Sequence, residues 1–252
     1  MTRKASVLRA LVVLGLLAAL EAMCRGGIID RFTMQPPSLI VRDLAVLLAA
    51  GKLNAAIAKT FSNAAIGFCL AVSAGIAAAV AIQRLRLLRE ALEPLFATYY
   101  AIPVLAFYPL LIILFGLGNA PKIMIAFMLG VIAVIVNTLN GLDRVPRALL
   151  KTARVVGMTP LETALRVTIP CAAPYVLTGV KFAVAYSLIG IIGSEFVMSS
   201  DGIGFEISFA YTNFDNATMY PLILLILIVS IAVNLAVGTW EKRLLARRGL
   251  LQ

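Results

Sequence analysis

Histidine is missing from this sequence, and tryptophan occurs once. Without an imidazole there is no Ser-His-Asp triad, no histidine proton relay and no histidine ligand for zinc. The three cysteines, Cys24, Cys69 and Cys171, are odd in number and show no paired spacing, so neither a disulfide framework nor a metal site is expected. Charge is also scarce, at 13% of 252 residues, with 12 acidic side chains against 22 basic ones. What fills the chain instead is apolar: 62% of the residues are hydrophobic and the mean hydropathy is +0.99. Too few polar side chains remain to cover a water-soluble globule, so lipid must solvate much of the outside.

A helix needs roughly 20 apolar residues to cross a hydrocarbon core about 30 Å thick. Runs of that kind fall at 7–24, 60–82, 94–117, 119–140, 171–198 and 217–240. The expected fold class is therefore all-α: a polytopic membrane protein of about six transmembrane helices. Arg3, Lys4 and Arg9 before the first run also suit a secretory leader, but Leu20-Glu21-Ala22-Met23 before Cys24 fits neither an A-x-A nor a lipoprotein cleavage site. The first run is accordingly read as a retained helix.

The net charge of +10 would suggest nucleic acid in a soluble protein. Here the basic residues cluster at the ends of apolar runs, which reports topology and anionic headgroups, and no nucleic-acid partner is expected. Three lie at the N-terminus, three at 84–89, five at 144–166 and four at 242–248; the other side holds the six residues Arg25, Arg31, Arg42, Lys52, Lys59 and Lys122. Fifteen against six puts both termini in the cytoplasm. Three regions follow: 1–54, a first helix and an external segment with an amphipathic stretch from Leu39 lying on the membrane surface; 55–240, a five-span core; and 241–252, a basic tail.

Residues 141–170, GLDRVPRALLKTARVVGMTPLETALRVTIP, are longer than a turn requires. Leu149, Leu150, Ala153, Val156, Leu161, Ala164, Leu165 and Val167 recur at three- and four-residue steps, the pattern of short amphipathic helices broken at Gly157 and Pro160. Thr159 suits an N-cap with Pro160 in the first turn and Glu162 following. Periodicity and charge alone leave two readings open, a protruding helix pair or a basic linker lying on the inner leaflet.

The loop resembles the signature segment of binding-protein-dependent ABC transporter permeases, in which Glu-Ala-Ala is followed four residues later by glycine and then by a closing Ile-Pro or similar ending. Ala153 and Gly157 have that spacing and Ile169-Pro170 closes the loop, whereas Lys151-Thr152 stands where the family typically has Glu-Ala. The likeness covers about residues 55–240: Pro94, Ile102-Pro103, Tyr108-Pro109-Leu110, Phe115-Gly116-Leu117-Gly118, Asn137-Thr138, Gly141-Leu142, Pro174, Leu177-Thr178-Gly179, Ser194-Glu195 and Gly202-Ile203-Gly204. In order and spacing these are similar to the nitrate, sulfonate and taurine branch.

That resemblance implies a permease subunit of an ATP-driven importer in a bacterial cytoplasmic membrane, paired with a second copy, two cytoplasmic ATP-binding subunits and an external substrate-binding protein. It implies that Ala153, Gly157, Met158, Thr159, Pro160, Leu161 and Glu162 form a coupling helix seated on the ATPase. The chain carries no G-x-x-x-x-G-K-[ST] loop, so it is not expected to be an enzyme or to bind a cofactor; ATP and magnesium belong to the partner subunit.

The candidate transport path comprises Tyr99, Tyr100, Pro103, Asn137, Ser187 and Glu195. Prolines 103 and 109 free backbone carbonyls that need a protein or water-lined environment, which suits a pore wall, though the tyrosines equally suit helix packing, and Asn137 and Ser187 equally suit bonds across helices. Glu195 lies in an apolar run where an ionised carboxylate at mid-bilayer costs on the order of 3 kcal/mol. It either gates the outer end or orders the loop ending at Gly204. Lys181 can attract an anion or snorkel to the inner leaflet. The small-residue run Ala71–Ala79 reads as close helix packing. Two other classes compete with the importer: an intramembrane enzyme, which needs a nucleophile, a metal cluster or paired acids at one depth and finds no histidine and one intramembrane carboxylate here, and a stand-alone secondary transporter or channel, which shows no internal repeat here and leaves the cytoplasmic loop without a purpose.

Overall fold

The computed structural model describes residues 3–30 and 32–247. The end of the expected basic tail, residues 248–252, lies outside the described residues. Among them the secondary structure is helical throughout: α1 (Arg3–Arg25), α2 (Pro37–Ala49), α3 (Asn54–Arg84), α4 (Arg86–Tyr99), a 3₁₀ turn (Val104–Phe107), α5 (Tyr108–Phe115), α6 (Asn119–Asp143), α7 (Arg147–Val155), α8 (Pro160–Thr163), a π turn (Ala164–Thr168), α9 (Ile169–Val197), α10 (Ile203–Thr212) and α11 (Asn216–Arg247). Five helices are long and apolar enough to cross a membrane, and a bent pair supplies a sixth crossing.

The expected span at 94–117, with its two prolines, is that bent pair. Leu87–Tyr99 and Val104–Phe115 meet at 93° across a short break. The cause is local: Pro103 has no N–H to continue the ladder and pushes Ile102 out of the helical region. The second limb, 12 residues long, rises only about 18 Å at 1.5 Å per residue, too little to cross alone.

The centre of the molecule is the packing of α6 against α9 and of α3 against α6. Lipid gives no hydrophobic reason for helices to associate, so close backbone approach must do it, and small residues line the contact. Ala71 and Ala79 of α3 are fully buried, as are Ala126 and Val134 of α6 and Ala183 and Ile191 of α9. The backbones come so near that a Cβ added at Gly190 would stand 2.8 Å from the Cα of Ala126, and one at Gly75 would stand 2.7 Å from the Cβ of Val134. The small-residue run 71–79 thus does what its composition indicates.

The helix following the loop is not a separate short piece. Thr159 caps α8, which passes through the π turn into α9, giving one 38-residue stretch from Pro160 to Val197. The π turn sits where it is needed: Pro170 has no N–H for the Arg166 carbonyl and its ring crowds that position, and the Ile169 N–H bonds back to the Ala164 carbonyl five residues earlier.

The segment expected to lie outside the membrane is also more integrated than a surface helix. α2 buries Ile40 and Leu44, and Leu44 joins Leu53, Ile203, Ile207, Leu222 and Leu225 in one cluster with α10 and α11. Glu21 near the end of α1 accepts from the Ser38 N–H at 3.0 Å and the Ser38 hydroxyl at 2.6 Å, which ties the first helix to the start of α2.

Gly190→Ala is expected to lower the unfolding temperature of the detergent-purified protein, because its methyl meets backbone that no rotamer change can move. Gly15→Ala, where nothing stands within 4 Å, serves as the control and is expected to leave it unchanged or slightly raised. Equal effects of the two substitutions would contradict the close-crossing account.

Candidate functional site

Two constellations stand at opposite ends of the α9 rod. The first is the loop at 144–168. Its entry is fixed: Arg89 forks onto the Asp143 carboxylate, Gln83 donates to Asp143 at 3.1 Å, and the Arg144 guanidinium lies 5.1 Å from the centre of the Tyr175 ring. α7 then runs to Val155 and ends in a complete Schellman turn, in which the Met158 N–H bonds the Ala153 carbonyl at 2.9 Å and the Gly157 N–H bonds the Arg154 carbonyl at 3.1 Å. That turn puts Gly157 at φ +77°, where a Cβ would be strained although nothing touches it.

Two residues on, a capping box starts α8. The Thr159 hydroxyl accepts from the Glu162 N–H at 3.2 Å and the Glu162 carboxylate accepts from the Thr159 N–H at 2.9 Å. Ala153, the one buried residue of α7, faces inward. Val155 is 87% exposed, and Val156, Leu161 and Leu165 are exposed beside it. Between α7 and α8, Leu150, Arg154, Met158, Pro160 and Thr163 line a depression of about 330 Å³. The result is a stiff tip with an uncovered apolar footprint and one arginine in its hollow.

The second constellation is a polar cluster at the far end of the bundle. Glu195 is completely buried. The Thr60 hydroxyl donates to its carboxylate at 2.8 Å, the Gly204 N–H donates at 3.1 Å, and the Thr60 oxygen accepts from the Ile203 N–H at 2.9 Å. A Cβ at Gly202, which has φ +98°, would fall 2.1 Å from the Glu195 carboxyl carbon, so only glycine lets the chain pass over this carboxylate. Beside it, Asp201 pairs with both Lys59, at 2.5 Å, and Lys122. Lys122 is 2% exposed, a buried ammonium whose counter-charge is Asp201. Burial works to raise the Asp201 pKa, but hydrogen bonds from Lys122 and Lys59 overcome it and hold the carboxyl below its ordinary range. Asn63 donates to Asn119 at 3.3 Å, adding a further bond between α3 and α6.

The six path residues occupy four places within this chain: the break after α4, Asn137 on α6, Ser187 in the middle of α9 and Glu195 near its end. Tyr99 donates to the Met128 carbonyl at 2.8 Å and so pins α4 to α6. Tyr100 lines a cavity of about 210 Å³ between the same helices, with Arg89, Glu93 and Asn140, and Pro103 caps the break beneath them. Asn137 bonds its own helix at the Ala133 carbonyl, 2.8 Å away. Ser187 is buried in the packing of α9, with no partner for its hydroxyl among the described residues. Glu195 sits in the polar cluster, where its oxygens are engaged by the Gly202–Gly204 turn. Lys59, Thr60, Lys122 and Asp201 complete that cluster and were not among the residues singled out from the sequence. The available signal was a lysine in the first turn of an apolar helix, which requires a counter-charge.

These features define a polytopic helical membrane protein with a rigid loop at one end and a locked polar cluster at the other. Residues 71–248 match the family of binding-protein-dependent transport system inner membrane components, and the chain belongs to that family. It is 31% identical over 182 residues to the nitrate import permease protein NrtB of Leptolyngbya laminosa, a match covering 72% of this chain and 65% of that protein. It is 33% identical over 153 residues to the bicarbonate transport system permease protein CmpB of Synechococcus elongatus, covering 60% of this chain and 55% of that one. It is also 29% identical to the riboflavin transport system permease protein RibX of Chloroflexus aurantiacus, covering 86% and 80%. A solved structure of the inward-facing MetNI methionine ABC transporter is similar in fold, with TM-score 0.60 at 18% identity, covering 83% of this chain and 99% of that one.

Asp201→Asn removes the carboxylate bonded to the buried Lys122 ammonium and is expected to destabilise the protein by about 3 kcal/mol, read as a lowered unfolding temperature in detergent. Adding Lys122→Met should recover most of the loss, because the uncompensated charge is then gone. Since the Asp201 pKa lies below its ordinary value of about 3.9, this stabilisation is fully present above about pH 4 and is lost as the pH falls further.

Proposed function

We propose that this chain is the membrane-spanning subunit of an ATP-driven importer. Two copies work with two cytoplasmic ATP-binding subunits, and an external binding protein delivers a small anionic solute of the nitrate, bicarbonate or sulfonate kind. Both termini and the 144–168 loop face the cytoplasm, in a bacterial inner membrane. The observation that carries this reading is the loop: a helix tip stiffened by a Schellman turn and a capping box, with Val155, Val156, Leu161 and Leu165 left uncovered. An apolar patch held away from the spans is a surface for another protein.

In this mechanism the ATP-binding pair moves the tip as it closes and opens. The tip does not fold away under load, because both helix ends are internally satisfied. The displacement passes into α9 and, through its tight crossing with α6, tilts the bundle. ATP and magnesium bind the partner subunit. The names of the nitrate and bicarbonate relatives support a small anion, and the riboflavin relative shows that the family also carries larger solutes. A stand-alone transporter has no use for the exposed patch.

Gly157→Val strains the turn by about 1–2 kcal/mol without meeting any neighbour. In proteoliposomes containing the full complex, it is expected to leave the chain in the membrane while transport falls and ATP hydrolysis no longer follows solute delivery; Gly157→Asn, which tolerates the left-handed region, should be milder. Wild-type transport by the valine variant would overturn the coupling assignment.

A further inference from the structure

α9 and α11 do not close against each other between Lys181 and Ile192 of α9 and between Ile226 and Val237 of α11. Between them runs a groove of about 390 Å³. Each wall extends over twelve residues, eleven steps or about 16 Å at 1.5 Å per residue, which matches half of a hydrocarbon core about 30 Å thick. The groove is as long as one leaflet is thick, with Lys181 at one end of it. Its floor is aliphatic, with Asn234 near the Lys181 end and Ser230 about midway along the α11 wall.

That end carries the features of a headgroup site. The Lys181 ammonium stands 3.8 Å from the Glu241 carboxylate and 3.9 Å from where a Cβ on Gly238 would be, which sets it level with the last turns of α11. Trp240 is half exposed there, in the position of an interfacial anchor. Lys242 and Arg243 follow it in sequence and are exposed. At about 100° per residue Lys242 lies one turn beyond Gly238 on nearly the same face of α11, so Lys181 and Lys242 are the two cations nearest this end of the groove.

We propose that this groove is a binding site for an anionic phospholipid of the cytoplasmic leaflet. One acyl chain lies between α9 and α11, and the phosphate rests against Lys181 and Lys242. Basic pockets between membrane helices at this face bind anionic headgroups by the same combination of charge and apolar fit. Asn234 and Ser230, one and two turns deeper than Gly238, face the ester region and the upper chain, which gives two polar side chains on a membrane helix a polar neighbour. The choice of leaflet rests on the orientation proposed above, but the site itself does not depend on what is transported.

The test is native mass spectrometry of the whole complex, with its ATP-binding subunits, released from nanodiscs of mixed phosphatidylglycerol and phosphatidylcholine. Wild type should retain phosphatidylglycerol in preference to phosphatidylcholine, at one molecule per copy of this chain. Lys181→Gln should weaken retention about five-fold, the effect of one basic contact worth about 1 kcal/mol, and Lys181→Arg should restore it. Ala185→Phe, which fills the groove, should abolish retention while the complex stays assembled. Equal retention of both lipids, retention unaffected by either change, or cross-links from Ala185 to the second copy of the chain would overturn the proposal. These readouts need no transport, so loss of the import reading leaves them interpretable.

Discussion

The close crossing of α6 over α9 is the constraint on which the remaining architecture depends. Inside a bilayer, apolar side chains gain nothing by leaving lipid for protein, so helices associate where backbones can meet and dispersion contacts are dense. Gly190 against Ala126 and Gly75 against Val134 provide that approach. With α3, α6 and α9 fixed at their centres, side chains near their ends are brought together across long stretches of sequence. Lys59 and Asp201, for example, meet across 142 positions. The polar cluster is thus a product of the crossing as well as a lock upon it.

The same crossing makes α9 a lever. From Pro160 to Val197 the chain is helical without a gap, about 57 Å at 1.5 Å per residue. One end is the capped tip at Thr159; near the other, Glu195 holds the Gly202–Gly204 turn. The π turn at 164–168 retains backbone bonding while accommodating Pro170. A force applied at the tip is therefore not absorbed by an unstructured linker before it reaches the bundle. The break in the third crossing, pinned to α6 by Tyr99, leaves α4 and α5 as two short limbs.

What was legible in the sequence was local chemistry and composition. Apolar length revealed the spans, Gly157 revealed a left-handed turn, and Thr159-Pro160 with Glu162 revealed a helix start, because each feature depends on residues within a few positions. Pro103 revealed that the third run is broken but not that its limbs meet at 93°, since the angle is set by packing against α6. The continuity of α8 into α9 was hidden because Pro170 reads as a stop, and only the π turn relieves it. The ion cluster was not legible: Lys59 and Lys122 looked like topology charges, and nothing near them in sequence indicated Asp201. Nor did the amphipathic stretch after Leu39 disclose that its apolar face meets α10 and α11 instead of lipid.

The central claim is that the tip between α7 and α8 seats on an ATP-hydrolysing partner. The most direct measurement places a photo-crosslinking side chain at Leu161, which is exposed on that tip, irradiates native membranes and identifies what is captured. The account predicts one dominant adduct, a protein containing a G-x-x-x-x-G-K-[ST] phosphate loop, diminished when Gly157 is replaced by valine. Capture of lipid alone, or of another copy of this chain, would contradict it and return the loop to the inner leaflet.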